Sequence, residues 1–496
     1  MRAAAVRGLV AGLLLTATLP PRGWWVLGPV GAAVLAWGLR EQPVRARLVC
    51  GLAAGVGLYA PGLFWMTDFS LPGYPFAVII EAAFLAAGAL LVVPGPGRLV
   101  ALPAALVLFE AARGSWPFGG LPLAHLALGQ VGGPLAPAAR VGGQLLLVAL
   151  VGLSGAALAE LVAAARRRGR GRLVEAGAAA VAIVLVAGVA LLGATSAPEG
   201  RPRGRMRVAL VQGGGERGLL AVEREDTGEV FAAHLRASER IEPPVDLVLW
   251  PEDVVDVSGP VRTSEEADAL ARLARRLDTT LVVGVVEDAG RTRFRNAAVA
   301  WGPGGRIVDR YDKVHRVPFG EYIPFRSLID RVADLGAIPR DAVAGTGTGL
   351  LDVPAGQLGT LISYEVFFED RARAAVRDGA EVLIVPTNAA SFRTGQVPAQ
   401  ELAAARLRAL ETGRTVLQAA PTGYTAVVDW RGEVLERTRL GGPAVLHRTV
   451  ARRTGQTWAT QLGPRLGVTL AVLTLVLAWL VQNLSALPSV FLAQRR

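Results

Sequence analysis

Eight apolar segments constrain this chain more than any other feature. They lie near residues 5–20, 24–39, 48–66, 75–94, 98–113, 141–164, 174–193 and 466–486. A helix needs about 20 apolar residues to cross the hydrocarbon core of a bilayer, so each segment reads as a span and the shortest are marginal. Pro20-Pro21, Pro94-Gly-Pro-Gly97 and the stretch from Gly114 to Pro137 punctuate the joints. Composition agrees: 52% of residues are hydrophobic, only 19% are charged, and mean hydropathy is +0.40. Soluble domains carry about a quarter charged residues. Arg2 and Arg7 lie at the start of the first apolar run, but a second run follows at once, so the beginning reads as a first span rather than a cleaved signal peptide.

The charges give this bundle an expected orientation. Lys and Arg number 52 against 41 Asp and Glu, a formal net charge of +11. No basic–aromatic stripe accompanies that excess, which argues for an anionic membrane surface and against nucleic acid. With a cytoplasmic N-terminus, the inside loops and tails hold Arg2, Arg7, Arg40, Arg45, Arg47, Arg98, Arg166, Arg167, Arg168, Arg170, Arg172, Arg495 and Arg496. The short outside loops hold only Arg22, Arg113 and Arg140. Basic residues favour the cytoplasmic side, so both termini are expected in the cytoplasm of a multi-pass plasma (inner) membrane protein. The expected division is a seven-span domain over 1–196, an extracytoplasmic domain over 197–462, and a final span with a cytoplasmic tail over 463–496. Glu81, Glu110 and Glu160 fall within or near spans, where a charge is costly. They read as interfacial carboxylates sooner than as headgroup or gating contacts. Trp24, Trp25, Trp65 and Trp116 fit an interfacial belt, and Trp65 and Trp116 are also candidates for lining a lipid entry route. Cys50 is the sole cysteine and the four histidines are dispersed, so no disulfide, zinc site, other metal site or cofactor is expected.

From Arg207 the texture changes. Val- and Leu-rich runs at 207–212, 246–250, 280–286, 359–363 and 381–385 end in polar or Pro/Gly turns, as buried strands do. Helical stretches near 264–277, 366–378 and 396–412 alternate with them, which predicts a layered α/β domain. Three charged residues stand where such domains carry chemistry, at strand ends or just beyond. Glu252 follows Trp250-Pro251, Lys313 lies in Tyr311-Asp312-Lys313, and Glu365 follows Ser363-Tyr364.

This constellation resembles the nitrilase superfamily. Tyr311-Asp-Lys-Val-His-Arg-Val-Pro-Phe-Gly-Glu-Tyr-Ile-Pro-Phe325 resembles one membrane branch of it, the apolipoprotein N-acyltransferase family. Segments 120–130, 404–414 and 422–429 and the order of seven spans, soluble domain and one span resemble that family too. The resemblance implies a membrane α-helical bundle of about eight spans carrying an extracytoplasmic nitrilase-like α-β-β-α sandwich. It implies acyl transfer from a phospholipid donor, in surrounding membrane lipid, to the N-terminal amine of diacylglyceryl-modified apolipoproteins through a covalent acyl-enzyme. Glu252 maps to the general base, Lys313 to oxyanion stabilisation, and Glu321, Glu365 and Tyr364 to supporting positions. Phe392 is an acyl-contact candidate where relatives carry tryptophan. Some relatives are fused to, or associate with, a polyprenol-phosphate mannosyltransferase, which makes that enzyme a candidate partner.

One departure bears on the chemistry. The family nucleophile is a cysteine in Cys-Tyr-Glu, and this chain reads Ser363-Tyr364-Glu365. Cys50 is expected at the cytoplasmic end of a span and cannot replace it. A serine hydroxyl is a weaker nucleophile than a thiol and needs a well-aligned base. Four readings stand at this point: a serine acyltransferase, a scaffold without transfer activity, an engineered replacement that traps substrate, and a tethered amide- or nitrile-cleaving hydrolase. The first accounts best for the retained Glu252, Lys313, Glu321 and Glu365.

Overall fold

A computed structural model describes residues 1–95, 97–166, 171–214, 227–331, 338–389 and 395–493, with the backbone alone at 171, 227 and 485–493. Phe392, Arg167, Arg168, Arg170, Arg495, Arg496 and the glycine-rich loop beyond Gly214 lie outside the described residues. The chain divides into two compact units, Met1–Ala197 with Gln461–Arg496, and Pro198–Thr460.

In the first unit each of the eight apolar segments is helical. The helices are Arg2–Thr18, Leu27–Leu39, Val44–Gly62, Gly73–Leu91, Arg98–Arg113, Ala139–Arg166, Gly171–Thr195 and Pro464–Ala493. Among the described residues, four stretches are long and apolar enough to cross a membrane: Gly73–Leu91, Ala136–Arg166, Arg172–Thr195 and Pro464–Leu484. The last shows why its surface suits hydrocarbon. Ala471, Leu475 and Ala478 face inward, while the larger Leu470, Leu473, Leu477 and Leu480 face out. A water-facing helix would carry polar residues on that outer face. Small residues set the packing inside. A Cβ on Gly12 would sit 2.1 Å from the Ala54 carbonyl oxygen, so helices Arg2–Thr18 and Val44–Gly62 approach as closely as they do because that position has no side chain.

The carboxylates that read from sequence as interfacial groups are ion-paired inside this unit. Glu81, Glu110 and Glu160 are buried. Arg113 Nε pairs with Glu81, and its Nη1 lies 3.0 Å from Glu110 Oε2. Arg113 Nη2 also donates to the Leu123 carbonyl at 2.6 Å, and Leu126 N donates to Glu110 Oε1 at 2.9 Å. Glu160 is held by Arg98 at 2.5 Å and by Arg40 at 3.5 Å. Sequence spacing hid these pairs because most partners come from other helices, and a buried charge persists only when paired.

The second unit is built on two sheets. From edge to edge, the first runs Ala444–Thr454, Arg201–Gln212, Leu247–Leu249, Thr280–Asp288, Arg293–Trp301 and Ile307–Asp312. The second runs Val434–Arg437, Ala426–Val428, Val416–Ala419, Val382–Pro386, Gly356–Thr360 and Leu350–Val353. Strand alternation divides the core into layers. Val208, Leu210, Leu249 and Val282 point between the sheets, against Leu358, Ile384 and Leu417. Ala209, Val211, Val248 and Val283 point the other way, against Val230 and Leu270 of helices Thr227–Ser238 and Glu265–Leu277. Helices Glu369–Arg377 and Gln396–Thr412 pack on the second sheet. The result is helix, sheet, sheet, helix. One expected strand is shorter than the sequence suggests. It stops at Thr360, and Ser363–Phe367 form a 3-10 turn because the Glu365 carboxylate folds back to accept the Ile362 N–H at 2.9 Å.

Candidate active site

Glu252 stands in the loop after strand Leu247–Leu249 and is fixed by its surroundings. Trp250 is buried and donates through Nε1 to Ser238 Oγ at 3.1 Å. Gly284 N donates to the Pro251 carbonyl at 3.0 Å. A Cβ at Gly284 would lie 2.4 Å from Glu252 Cα, so the loop can rest on strand Thr280–Asp288 only where that strand has no side chain.

Lys313 follows strand Ile307–Asp312, whose end is tied to its neighbour by Lys313 N donating to the Asn296 carbonyl at 2.9 Å. The buried ammonium donates to Glu252 Oε1 and to Glu321 Oε1, each at 2.8 Å. Asn296 Nδ2 donates to the same two oxygens at 2.8 and 3.0 Å. Glu321 Oε2 accepts the Val317 N–H at 2.7 Å, which locks the loop carrying it. Burial by itself would lower the lysine pKa, but the two carboxylates outweigh it and hold the ammonium above its ordinary range. Among the described residues two of its three N–H donors are taken, which leaves one for a substrate oxygen.

Glu365 joins the lysine loop to the turn bearing Ser363. It is fully buried, and its Oε1 accepts from Tyr311 Oη at 2.8 Å, Val314 N at 2.8 Å and His315 N at 3.0 Å. Oε2 accepts from Ile362 N. Burial first, and then the charge of Glu365, raise the pKa of the Tyr311 phenol, so it remains a donor. Arg371 donates to that phenol oxygen at 2.7 Å. Tyr364 is buried edge-on to Phe368, with ring centroids 5.1 Å apart.

Ser363 has φ +49°, a left-handed conformation that a non-glycine residue adopts at a cost and that recurs at functional turns. Its Oγ lies 3.2 Å from Thr387 Oγ1 and 3.5 Å from Glu401 Oε1, and Thr387 Oγ1 lies 2.7 Å from the same Glu401 oxygen. Ser363 makes no hydrogen bond to Glu252 among the described residues. Glu401 belongs to helix Gln396–Thr412 and is buried. Burial raises its pKa first; the Thr387 hydrogen bond opposes that, Glu252 adds to it, and the result is about 7.

The fold therefore brings Glu252, Lys313 and Glu321 into one hydrogen-bonded cluster and fastens it through Glu365 to the Ser363 turn. Trp65 and Trp116 belong to the first unit, Trp65 buried and Trp116 exposed against Phe84. Sequence reasoning missed Glu401, Thr387 and Asn296. Glu401 left a trace: it is a carboxylate four residues after Val397 in an otherwise Ala- and Leu-rich helix, where a solvated face would be more polar. Thr387 and Asn296 left none: one lies just past strand Val382–Pro386 and the other within strand Arg293–Trp301.

Residues 207–460 match the carbon-nitrogen hydrolase family, and residues 11–157 match the N-terminal domain of apolipoprotein N-acyltransferase. An apolipoprotein N-acyltransferase of Mycolicibacterium smegmatis is 32% identical, over 91% of this chain and 81% of that protein. Another, of Photobacterium profundum, is 28% identical over 91% and 90%. A crystal structure of a branch 10 nitrilase-superfamily member from Saccharomyces cerevisiae aligns with 51% of this chain and 92% of its own, at 20% identity and TM-score 0.39. This chain belongs to the apolipoprotein N-acyltransferase family.

Proposed function

We propose that this protein transfers an acyl chain from a phospholipid to the N-terminal amine of S-diacylglyceryl-cysteine in apolipoproteins, through an acyl-enzyme on Ser363. The observation that carries the reading is the buried Lys313 ammonium, held between Glu252 and Glu321 and fastened through Glu365 to the Ser363 turn. In the first half-reaction Ser363 Oγ bonds to the ester carbonyl carbon of the donor, and negative charge develops on the carbonyl oxygen. A fixed ammonium in a dry site stabilises that charge. The ester C–O bond then breaks, and the lysophospholipid leaves with the proton given up by Ser363. In the second half-reaction the lipoprotein amine attacks the oxyester, and Ser363 Oγ departs with a proton from the amine. Glu252, which maps to the family's general-base position, holds Lys313 in place here.

In this reading all eight helices span the plasma membrane, both termini are cytoplasmic, and the second unit works on the extracytoplasmic side. The arginine asymmetry of the loops and the apolar outer face of the final helix support this. The test is N-acylation of a diacylglyceryl lipoprotein, measured by mass spectrometry in cells depleted of their own enzyme. Wild type is expected to acylate and Ser363→Ala to be silent. Equal silence of wild type and Ser363→Ala beside an active Ser363→Cys would overturn the serine reading.

A further inference from the structure

Hydrogen counting at Ser363 shows which way its proton points. Thr387 Oγ1 lies near both Glu401 Oε1, at 2.7 Å, and Ser363 Oγ, at 3.2 Å, yet a hydroxyl has one proton to donate. The carboxylate is the shorter contact and can only accept when ionised, so the threonine proton goes to Glu401. Thr387 Oγ1 is then left with lone pairs facing Ser363. The serine O–H therefore points either at Thr387 or directly at Glu401 Oε1, 3.5 Å away, and both routes end on the same carboxylate. The second oxygen of Glu401 is buried and has no hydrogen-bond partner among the described residues, which is an expensive arrangement to keep without a use. Glu252 is differently placed. Its Oε1 already accepts from Lys313 and Asn296, and it makes no bond to Ser363.

We propose that Glu401, assisted by Thr387, is the group that takes the Ser363 proton. This deepens the serine acyltransferase reading and rests on it. As Ser363 Oγ bonds to the donor's carbonyl carbon, the hydroxyl proton passes to Glu401, directly or by exchange through Thr387. When the ester C–O bond breaks, Glu401 returns the proton to the departing lysophospholipid oxygen. In the second half, the attacking amine gives a proton to Glu401, and Glu401 passes it to Ser363 Oγ as the acyl–oxygen bond breaks. Atoms and charge balance over each half, and Glu252 is free to serve Lys313. A carboxylate that titrates near pH 7 is a better base than one in the ordinary range, and it is still ionised at neutral pH in about half the molecules. The charges that set this titration are Glu252 and Lys313, from the loops after their strands, with the hydroxyls of Thr387 and Ser363.

The proposal also explains how a serine can stand at this position: an alcohol needs a dedicated base, whereas a thiol ionises with far less help. That difference supplies the test. Full-length wild type, Glu401→Gln, Ser363→Cys and the Ser363→Cys/Glu401→Gln double variant are assayed in membranes by mass spectrometry. Diacylglyceryl peptide is the acceptor for transfer, and acyl-enzyme formation is followed without it. With serine present, Glu401→Gln should cost about 10²-fold or more, the usual scale of general-base catalysis. The same change in the Ser363→Cys background should cost less than about tenfold. The wild-type rate should rise with pH through about 7, and Ser363→Cys/Glu401→Gln should lack that limb. Equal losses in both backgrounds, or an unchanged rate and pH limb in Glu401→Gln, would overturn the role of Glu401 while leaving Ser363 as nucleophile. No acyl-enzyme in wild type would instead overturn the serine reading on which the role rests.

Discussion

Replacing Glu365 with glutamine tests whether this carboxylate assembles the site. The change keeps shape and volume but turns one acceptor oxygen into an NH2 donor. Four donors converge on the carboxylate: the Tyr311 hydroxyl and the Val314, His315 and Ile362 N–H groups, all between 2.8 and 3.0 Å. If the amide oxygen keeps the three bonds at Oε1, the new NH2 faces the buried Ile362 N–H, donor against donor. An unsatisfied buried N–H costs about 1–3 kcal/mol, and three bonds that lose a charged acceptor weaken by roughly 0.5–1 kcal/mol each. Together these come to about 2.5–6 kcal/mol. Turning the amide around is worse, since three donors would then face the NH2. The loss falls on the contact between the Lys313 loop and the Ser363 turn, so transfer activity should drop by at least about 10²-fold at 1.4 kcal/mol per tenfold. In detergent-purified full-length protein, the unfolding transition of the second unit should fall by roughly 5–18 °C, at about 2–3 °C per kcal/mol for a domain of this size. Differential scanning calorimetry and the lipoprotein acylation assay read the two effects. Glu365→Gln with a transition within about 2 °C of wild type and normal activity would refute the assembling role.

Two further outcomes follow from the ion pairs. Lys313→Met removes the oxyanion-stabilising charge and leaves Glu252 and Glu321 facing each other, so acylation should fall at least about 10³-fold; acylation within tenfold of wild type would exclude that role. Arg113→Met leaves Glu81 and Glu110 buried without their cation, so resistance of the first unit to thermal unfolding should fall by about 3–5 kcal/mol. Arg113→Met/Glu81→Gln/Glu110→Gln should recover much of that loss, which the same calorimetry measures.

Much of the architecture was legible in the sequence because its signals are local. Apolar runs marked eight long helices of the first unit, and Val- and Leu-rich runs ending in turns marked five strands of the second. Glu252, Lys313 and Glu365 stood out because they are charged residues at strand ends or just beyond, and the Tyr311–Phe325 segment carried its family resemblance in contiguous residues. The buried carboxylates of the first unit were misread because the charges that pair with them come largely from other helices. The same limit hid Glu401. In sequence it lies 38 residues from Ser363, on a helix that looks like ordinary core packing, and its role depends on the second sheet carrying Thr387 and helix Gln396–Thr412 to one side of the serine turn. The sequence by itself marked the apolar helices, five of the strands and Glu252, Lys313 and Glu365 as candidate positions. Only the tertiary structure decided which carboxylate meets the serine hydroxyl, because a hydrogen bond depends on distances of a few tenths of an ångström between groups that chain order does not make neighbours.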